Sequence, residues 1–398
     1  MRKGEQAREK MVKDVNGQIL REGVEVRRRW AEYFGQVLNV ADVREANINA
    51  VGNWRMPVPE DLNERAISLE EVVEAVNEMK SGKAPGLDGF PVECLKKGGT
   101  AVFEWLVRLL NLSFDMWVVC MGWRGACIMP LYKWKGDKCE CSNSRGISFL
   151  SVVGKLFGRV LIKKVRAETE CAIGEEQYGF RQGRGCMDQV FAVRQVCEMV
   201  KIYSGLLWIW KRPMTLTIVI LCFICYGVYG VGGKLLKAVQ SFYVDSRACV
   251  RVGNDVSEWF PVNVGLRKGC VMSPWLFNVY MDGVVQEVNV RVLGNGLELL
   301  SANGVRFEKN QLLFADDTAL VADSEEKLCR LVNEFGRVCE RRKLRVNVGK
   351  SKAMRFPTYG NLDRMQVVAN GGCERDVIQR MNEGYRAWGV LKSVLSNK

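Results

Sequence analysis

Apolar residues recur at helical spacing along several stretches of the chain and gather into short extended runs along others. Arg27, Arg28 and Arg29 precede Trp30, Phe34, Val37 and Leu38, which predicts a helix with one apolar stripe and a basic edge. Residues 67–80 predict a second helix. Ser68 and Glu71 make a capping box, Ile67 can staple onto Val72, and Val72, Ala75, Val76 and Met79 follow on one face. Ser81-Gly82 stops it, and the Gly- and Pro-rich segment Lys83-Ala-Pro-Gly-Leu-Asp-Gly89 reads as an ordered turn. Residues 101–117 give another helix, 126–134 a strand, 133–146 a charged loop, and 147–170 a long helix with a basic end (Lys155, Arg159, Lys163, Lys164, Arg166). Residues 311–322 are two apolar runs flanking Asp316-Asp317, the pattern of a β-hairpin with both carboxylates at its tip. Asp323-x-x-Glu326 then opens a helix with Leu328, Leu331, Val332, Phe335, Val338 and Cys339 on one face. Helices mixed with short strands argue for α+β layers over a doubly wound parallel sheet.

Composition narrows the chemistry. The 398 residues are enough for two or three domains. With 48% hydrophobic and 26% charged residues, most of the chain should be globular. There is no histidine, which excludes Ser-His-Asp and Cys-His catalysis, His zinc ligands and His general bases. The 15 cysteines lack a second pair to complement Cys139 and Cys141, so they read as reduced thiols of an intracellular protein, nuclear or cytoplasmic. The first residues, MRKGEQAREKMVKD, hold no apolar core for a secretory signal, so the chain is not expected to be secreted. A net charge of +13 suggests a polyanionic partner.

Two segments can carry the chemistry that remains. Adjacent carboxylates at Asp316-Asp317 repel each other, and a divalent cation is their simplest compensation. Mg²⁺ takes oxygen ligands and shares them with substrate phosphates. Two such ions clamp an in-line phosphoryl transfer without any histidine. In Gly265-Leu-Arg-Lys-Gly-Cys-Val-Met-Ser-Pro274, Gly269 permits close backbone approach to a ligand. Ser273 is expected to cap a helix that Pro274 begins, placing backbone N–H groups where a phosphate or sugar could sit.

The ordered series Lys83–Gly89, Pro130-Leu-Tyr-Lys133, Ser144-Arg-Gly-Ile-Ser148, Tyr178-Gly-Phe-Arg181, Arg267–Pro274, Phe314-Ala-Asp-Asp317 and Asn347-Val-Gly-Lys350 resembles the reverse transcriptase domain of non-LTR (LINE-type) retrotransposons, over about residues 25–370. The resemblance implies a right-hand fold of fingers, palm and thumb and an RNA-directed DNA polymerase activity. It implies Asp316 and Asp317 as metal-binding catalytic acids and Lys350 as the acid for the pyrophosphate leaving group. Lys133 and Arg145 would pair with the triphosphate, and Gly269, Ser273 and Phe314 would line the nucleotide site. Arg181, Arg267 and Pro274 would meet template and primer. The implied cofactor is Mg²⁺, two ions, with Mn²⁺ as a substitute; the implied partners are an RNA template, a DNA primer and dNTPs. Lys268 stands where the family usually shows Gln.

The series breaks where the family carries a third acid, in a strand close to F-M-D-L-E-K-A-Y-D. This chain has Gly205-Leu-Leu-Trp-Ile-Trp-Lys-Arg-Pro-Met-Thr215 there, and no acid lies between Glu198 and Asp245. Trp and Met have single codons ending in G. Shifted by one base, Trp208-Ile209 therefore contains GAU (Asp), Trp210-Lys211 contains GAA (Glu) and Met214-Thr215 contains GAC (Asp). With permitted third bases, Leu207–Thr215 reads Met-Asp-Leu-Glu-Lys-Ala-Tyr-Asp. Residues 201–228 are therefore expected to be an out-of-frame translation of the first palm motif, with the frame regained by Tyr229. Met214–Gly233 is also a run of 20 uncharged residues, a length that could cross a bilayer. The flanking polymerase motifs and hidden acids favour the frameshift, and no membrane is expected.

A second gap falls between Asn370 and Gly371, where the family's primer-grip strand is absent. The chain is then expected to end early in the thumb, and no endonuclease domain is expected ahead of the polymerase. The expected organisation is a charged helical extension over 1–66, fingers and the start of the palm over 67–200, and a disrupted first palm motif over 201–233. Palm follows over 234–356 and a truncated thumb-like tail over 357–398. The expected product is a degenerate copy, inactive or nearly so. The alternative is a non-catalytic RNA-binding protein on a polymerase scaffold.

Overall fold

A computed structural model describes residues 11–39, 65–199, 204–209, 227, 229–263, 265–267, 269–293, 299–300, 306–307, 311–322, 325–342, 344, 351–355 and 366–369. The chain divides into two compact units, one of residues 1–172 and 214–277, the other of 173–213 and 278–398. The division is discontinuous because the chain leaves the first unit after residue 172 and returns to it at residue 214.

The first unit opens with the short strands β1 (Val12–Lys13) and β2 (Ile19–Leu20), then helices α1 (Gly23–Leu38), α2 (Leu69–Glu78), α3 (Val92–Lys97), α4 (Gly99–Asp115) and α5 (Met121–Arg124). Strands β3 (Gly125–Tyr132) and β4 (Ser144–Phe149) follow, then α6 (Val152–Thr169). In the second unit come α7 (Cys186–Met199) and β5 (Ser204–Ile209). The first unit then resumes with α8 (Gly233–Ser241), β6 (Arg247–Val252), β7 (Asp255–Val256) and β8 (Phe260–Pro261). Helix α9 (Ser273–Leu293) contains the division between units. The second unit continues with β9 (Leu299–Leu300), β10 (Arg306–Phe307), β11 (Gln311–Phe314), β12 (Asp317–Ala322), α10 (Glu325–Arg341), β13 (Lys352–Arg355) and β14 (Gln366–Ala369).

In the first unit the sheet runs β4-β3-β6-β7, with β8 also on β6. Strands β3 and β4 are antiparallel and β3 and β6 parallel, so Cys127 and Cys249 are register partners. The described cysteines are free thiols. The predicted N-terminal helix is integrated into this core: Val26, Trp30 and Phe34 of α1 pack with Val12, Ala126, Ile128, Leu150, Ala248 and Val250. Its arginine run is engaged locally, with Arg27 on Asp255 at 2.8 Å and Arg29 donating to the Lys13 carbonyl at 3.1 Å.

Helix α2 carries the predicted capping box: the Glu71 N–H donates to Ser68 Oγ, and the Ser68 N–H donates to Glu71 Oε2. Its acidic face meets the basic end of α6. Glu78 bonds Arg159 at 2.8 Å and Lys163 at 2.6 Å, and Glu71 pairs with Lys164 at 3.1 Å. The expected start of α6 at residue 147 needs correction. Residues 144–149 pair with β3 as a strand, and the helix begins after Ser151, whose Oγ accepts the Gly154 N–H. Pairing of one main-chain edge along β3 outweighs a helical pattern that six residues cannot sustain alone.

In the second unit the sheet runs β11-β12-β5-β13-β14. The predicted hairpin is present, and α10 packs on β12 through an apolar face that includes Leu331, Phe335 and Val338. Helix α10 also meets α9: the Tyr280 hydroxyl donates to the Arg342 carbonyl at 2.6 Å, and Arg342 Nε donates to Glu287 at 2.9 Å. The acid-free stretch contributes β5, the central strand, paired on one side with β12 and on the other with β13. Most of Met214–Gly233 lies outside the described residues, and among those described no helix is long and apolar enough to cross a membrane.

Candidate active site

The hairpin sets the site's geometry. Phe314 and Asp317 close a two-residue turn, Ala315-Asp316. Ala315 has φ +56° and Asp316 does not share the left-handed region, the pattern of a type II′ turn that normally recruits glycine. An alanine held there is strained by about 1–2 kcal/mol. Asp316 and Asp317 are both exposed at this tip, with Phe314 half-buried beneath them.

The strain is offset by Gln177, a residue that sequence reasoning passed over. Its side chain is buried, 1% exposed. Oε1 accepts the Ala315 N–H at 2.9 Å and the Gly179 N–H at 2.8 Å, while Nε2 donates to the Ala315 carbonyl at 3.4 Å. Hydrogen bonds contribute roughly 1 kcal/mol each, enough together to match the turn's cost. Main-chain bonds extend the contact: the Tyr178 N–H donates to the Leu313 carbonyl and the Leu313 N–H to the Glu176 carbonyl, each at 2.8 Å. Gly179 lies so close that a Cβ would fall 2.2 Å from the Ala315 nitrogen. The motifs Tyr178–Arg181 and Phe314–Asp317, far apart in sequence, therefore form one structure. A signal for this was present: Gln177 immediately precedes the first of those motifs.

Four motifs meet along β4 in the first unit. Lys133 and Arg145 are exposed at one end of the β3–β4 hairpin, where Leu131 pairs with Arg145 and the Lys133 N–H donates to the Asn143 carbonyl. Lys133 Nζ also donates to the Ser142 carbonyl at 2.5 Å. At the other end, a Cβ on Gly86 would meet the Leu150–Ser151 peptide at 2.8 Å. A Cβ on Gly269 would lie 2.7 Å from the Ser148 carbonyl oxygen. Gly269 also has φ +102°, which L side chains rarely adopt.

The two arginines expected at template and primer are buried. Arg181 donates to the carbonyls of Ile173, Gly174 and Gln177. Arg267 donates to the carbonyls of Trp123 and Phe242 and to Ser246 Oγ, and burial pushes its guanidinium below its ordinary value. Each holds a loop in shape. Pro274 is half-buried. Ser273 does not cap α9. The helix begins at Ser273 itself, the Trp275 and Leu276 N–H groups both reach the Met272 carbonyl, and Ser273 Oγ is buried without a hydrogen-bond partner among the described residues. The ladder starts one residue earlier than expected, so Ser273 occupies the first helical position. Lys350, with the rest of Asn347–Lys350, and Lys268 lie outside the described residues.

The donor set fits one Mg²⁺ between Asp316 and Asp317, since that ion keeps several waters and shares substrate phosphates. It lacks the further carboxylate that a two-ion clamp requires. The register partner of Asp317 on β5 is Ile209, and among the described residues no group of three or more His, Cys, Asp or Glu side chains converges.

Comparison with known proteins points to the same family as the ordered motifs. Residues 232–379 match the family model for reverse transcriptase (RNA-dependent DNA polymerase). That match starts at residue 232, shortly after the segment 201–228 expected to be out of frame. The chain is 26% identical over 236 residues to a 115 kDa protein in type-1 retrotransposable element R1DM of Drosophila melanogaster, covering 56% of this chain and 22% of the relative. It is 22% identical over 319 residues to the RNA-directed DNA polymerase from mobile element jockey of the same fly, covering 73% and 32%. It is 22% identical over 278 residues to a 149 kDa protein of transposon TX1 from Xenopus laevis, covering 65% and 20%. The chain thus spans a third or less of the length of these relatives. Its ordered motifs, the matched domain and these proteins all show that the chain is similar to the reverse transcriptases of non-LTR retrotransposons.

Proposed function

We propose that this chain is the polymerase scaffold of a non-LTR retrotransposon, built to add dNTPs to a DNA 3′ end on an RNA template, and that this copy has lost the reaction. The observation that carries the reading is the hairpin tip. Asp316 and Asp317 stand together at the end of an antiparallel sheet whose central strand, β5, brings Ile209 opposite Asp317. When bound, divalent metal would activate the primer 3′-OH and neutralise charge on the transferred phosphoryl group. Asp316 and Asp317 would hold that ion, and the turn fixed by Gln177 would orient them. Lys133 and Arg145 offer exposed cations for the triphosphate. The buried Arg181 and Arg267 would act on template and primer only through the loops they hold. The right-hand division into fingers, palm and partial thumb, and the use of two ions by the ancestral enzyme, belong to the same proposal.

Loss of the third carboxylate predicts no synthesis on poly(rA)/oligo(dT) above that of Asp316→Ala. Robust incorporation by the unaltered chain would overturn the assignment of this copy as inactive. A second reading, an RNA-binding protein without catalysis, is favoured by the +13 charge. It predicts RNA binding that weakens with salt and is unchanged in Asp316→Ala.

A further inference from the structure

We propose that Gln177 is the positioning residue of the Asp316–Asp317 turn, and that its side-chain amide sets the affinity of that turn for a divalent cation. This rests on the reading of the hairpin tip as a metal-binding site. A single buried amide contacts both main-chain groups of Ala315: Oε1 takes the N–H at 2.9 Å and Nε2 reaches the carbonyl at 3.4 Å. Ala315 is the residue at φ +56°, so these bonds act on the one peptide whose conformation decides where the following two carboxylates stand.

The clamp has its own support. Oε1 also accepts the Gly179 N–H, and the Gly179 carbonyl accepts from Asn278 Nδ2 at 2.6 Å, with Asn278 fully buried on α9. Gly179 approaches Ala315 too closely for any larger residue. The turn is thus gripped from the 174–181 segment, whose other functional reading came only from its place in the motif order. Gln177 touches neither carboxylate in the contacts above. It acts on metal through Ala315, not as a ligand.

The test uses the full chain with Mn²⁺ as probe, free ion being read by electron paramagnetic resonance, together with hydrogen exchange of the Ala315 amide. Gln177→Met keeps the side-chain length and removes all three bonds. Gln177→Glu keeps the acceptor for both N–H groups. The expected result for Gln177→Met is Ala315 exchange and a Mn²⁺ dissociation constant each raised by about tenfold, with Gln177→Glu retaining Ala315 protection. Unchanged exchange and unchanged Mn²⁺ affinity in a folded Gln177→Met chain would overturn the proposal. If Gln177→Met does not fold, loss of Ala315 protection in Gln177→Glu overturns it instead. Asp316→Ala separates the underlying reading: Mn²⁺ binding that survives this change refutes the metal site, whereas exchange at Ala315 reports on the clamp alone.

Discussion

Gly269 shows how a single position constrains a loop from two directions. Its φ of +102° excludes L side chains without strain, and the Ser148 carbonyl occupies the space a Cβ would need. Gly269→Ala should therefore destabilise the first unit by about 1–3 kcal/mol, read as a lower unfolding midpoint in urea. A midpoint equal to that of the unaltered chain would show that the loop yields freely. Gly269 was legible as a close-approach glycine from the sequence, but its neighbour was not, because β4 lies more than a hundred residues away along the chain. The burial of Arg181 and Arg267 was not legible at all. A charged side chain in a recognisable motif reads as a ligand contact until its guanidinium is found among main-chain carbonyls. Gln177 was missed for the complementary reason: an uncharged amide announces no chemistry, and its role appears only when the strained turn it holds is seen.

Helix α2 ties local sequence to stability in a way pH can expose. Burial alone would raise the Glu71 carboxyl, but the Ser68 N–H and the Lys164 ammonium hold it below its ordinary value. Glu78 is likewise lowered by Lys163 and Arg159, against the opposing effect of its burial. A depressed carboxylate stabilises the fold above its unfolded pKa, roughly 4.3, and that contribution is lost as pH falls through the lower folded value. Acid unfolding should accordingly begin below about pH 4 and set in at higher pH when Lys164→Met removes one partner. An acid limb unchanged by Lys164→Met would contradict this. Ser68→Ala should cost about 1 kcal/mol through loss of the cap. The box was readable from four residues because capping is local. The α2–α6 ion pairs were not, because they join residues 81 to 93 positions apart, and they give the basic end of α6 its acidic partners on α2. The strand at 144–149 was hidden for the same reason, since pairing with β3 decides it.

At the scale of the whole molecule, the motif order identified the family that the domain match and relatives bear out, while the division into two discontinuous units could not be seen in it. The net charge of +13 predicts RNA binding whose affinity falls steeply with added salt. Part of that charge and of the 48% hydrophobic content traces to the stretch where acids are missing. The structure nevertheless threads that stretch into the sheet: β5 pairs along Asp317–Ala322 on one side and Lys352–Arg355 on the other. Apolar residues of either reading frame suit a central strand, so the fold tolerates what the chemistry does not. The most direct test of this account is primer extension by a chain made from a gene in which codons 201–228 are read in the shifted frame, compared with the unaltered chain and with the same restored chain carrying Asp316→Ala. The account predicts template-dependent DNA synthesis only by the restored chain with Asp316 intact. Synthesis by the unaltered chain, or by the restored chain carrying Asp316→Ala, would contradict it.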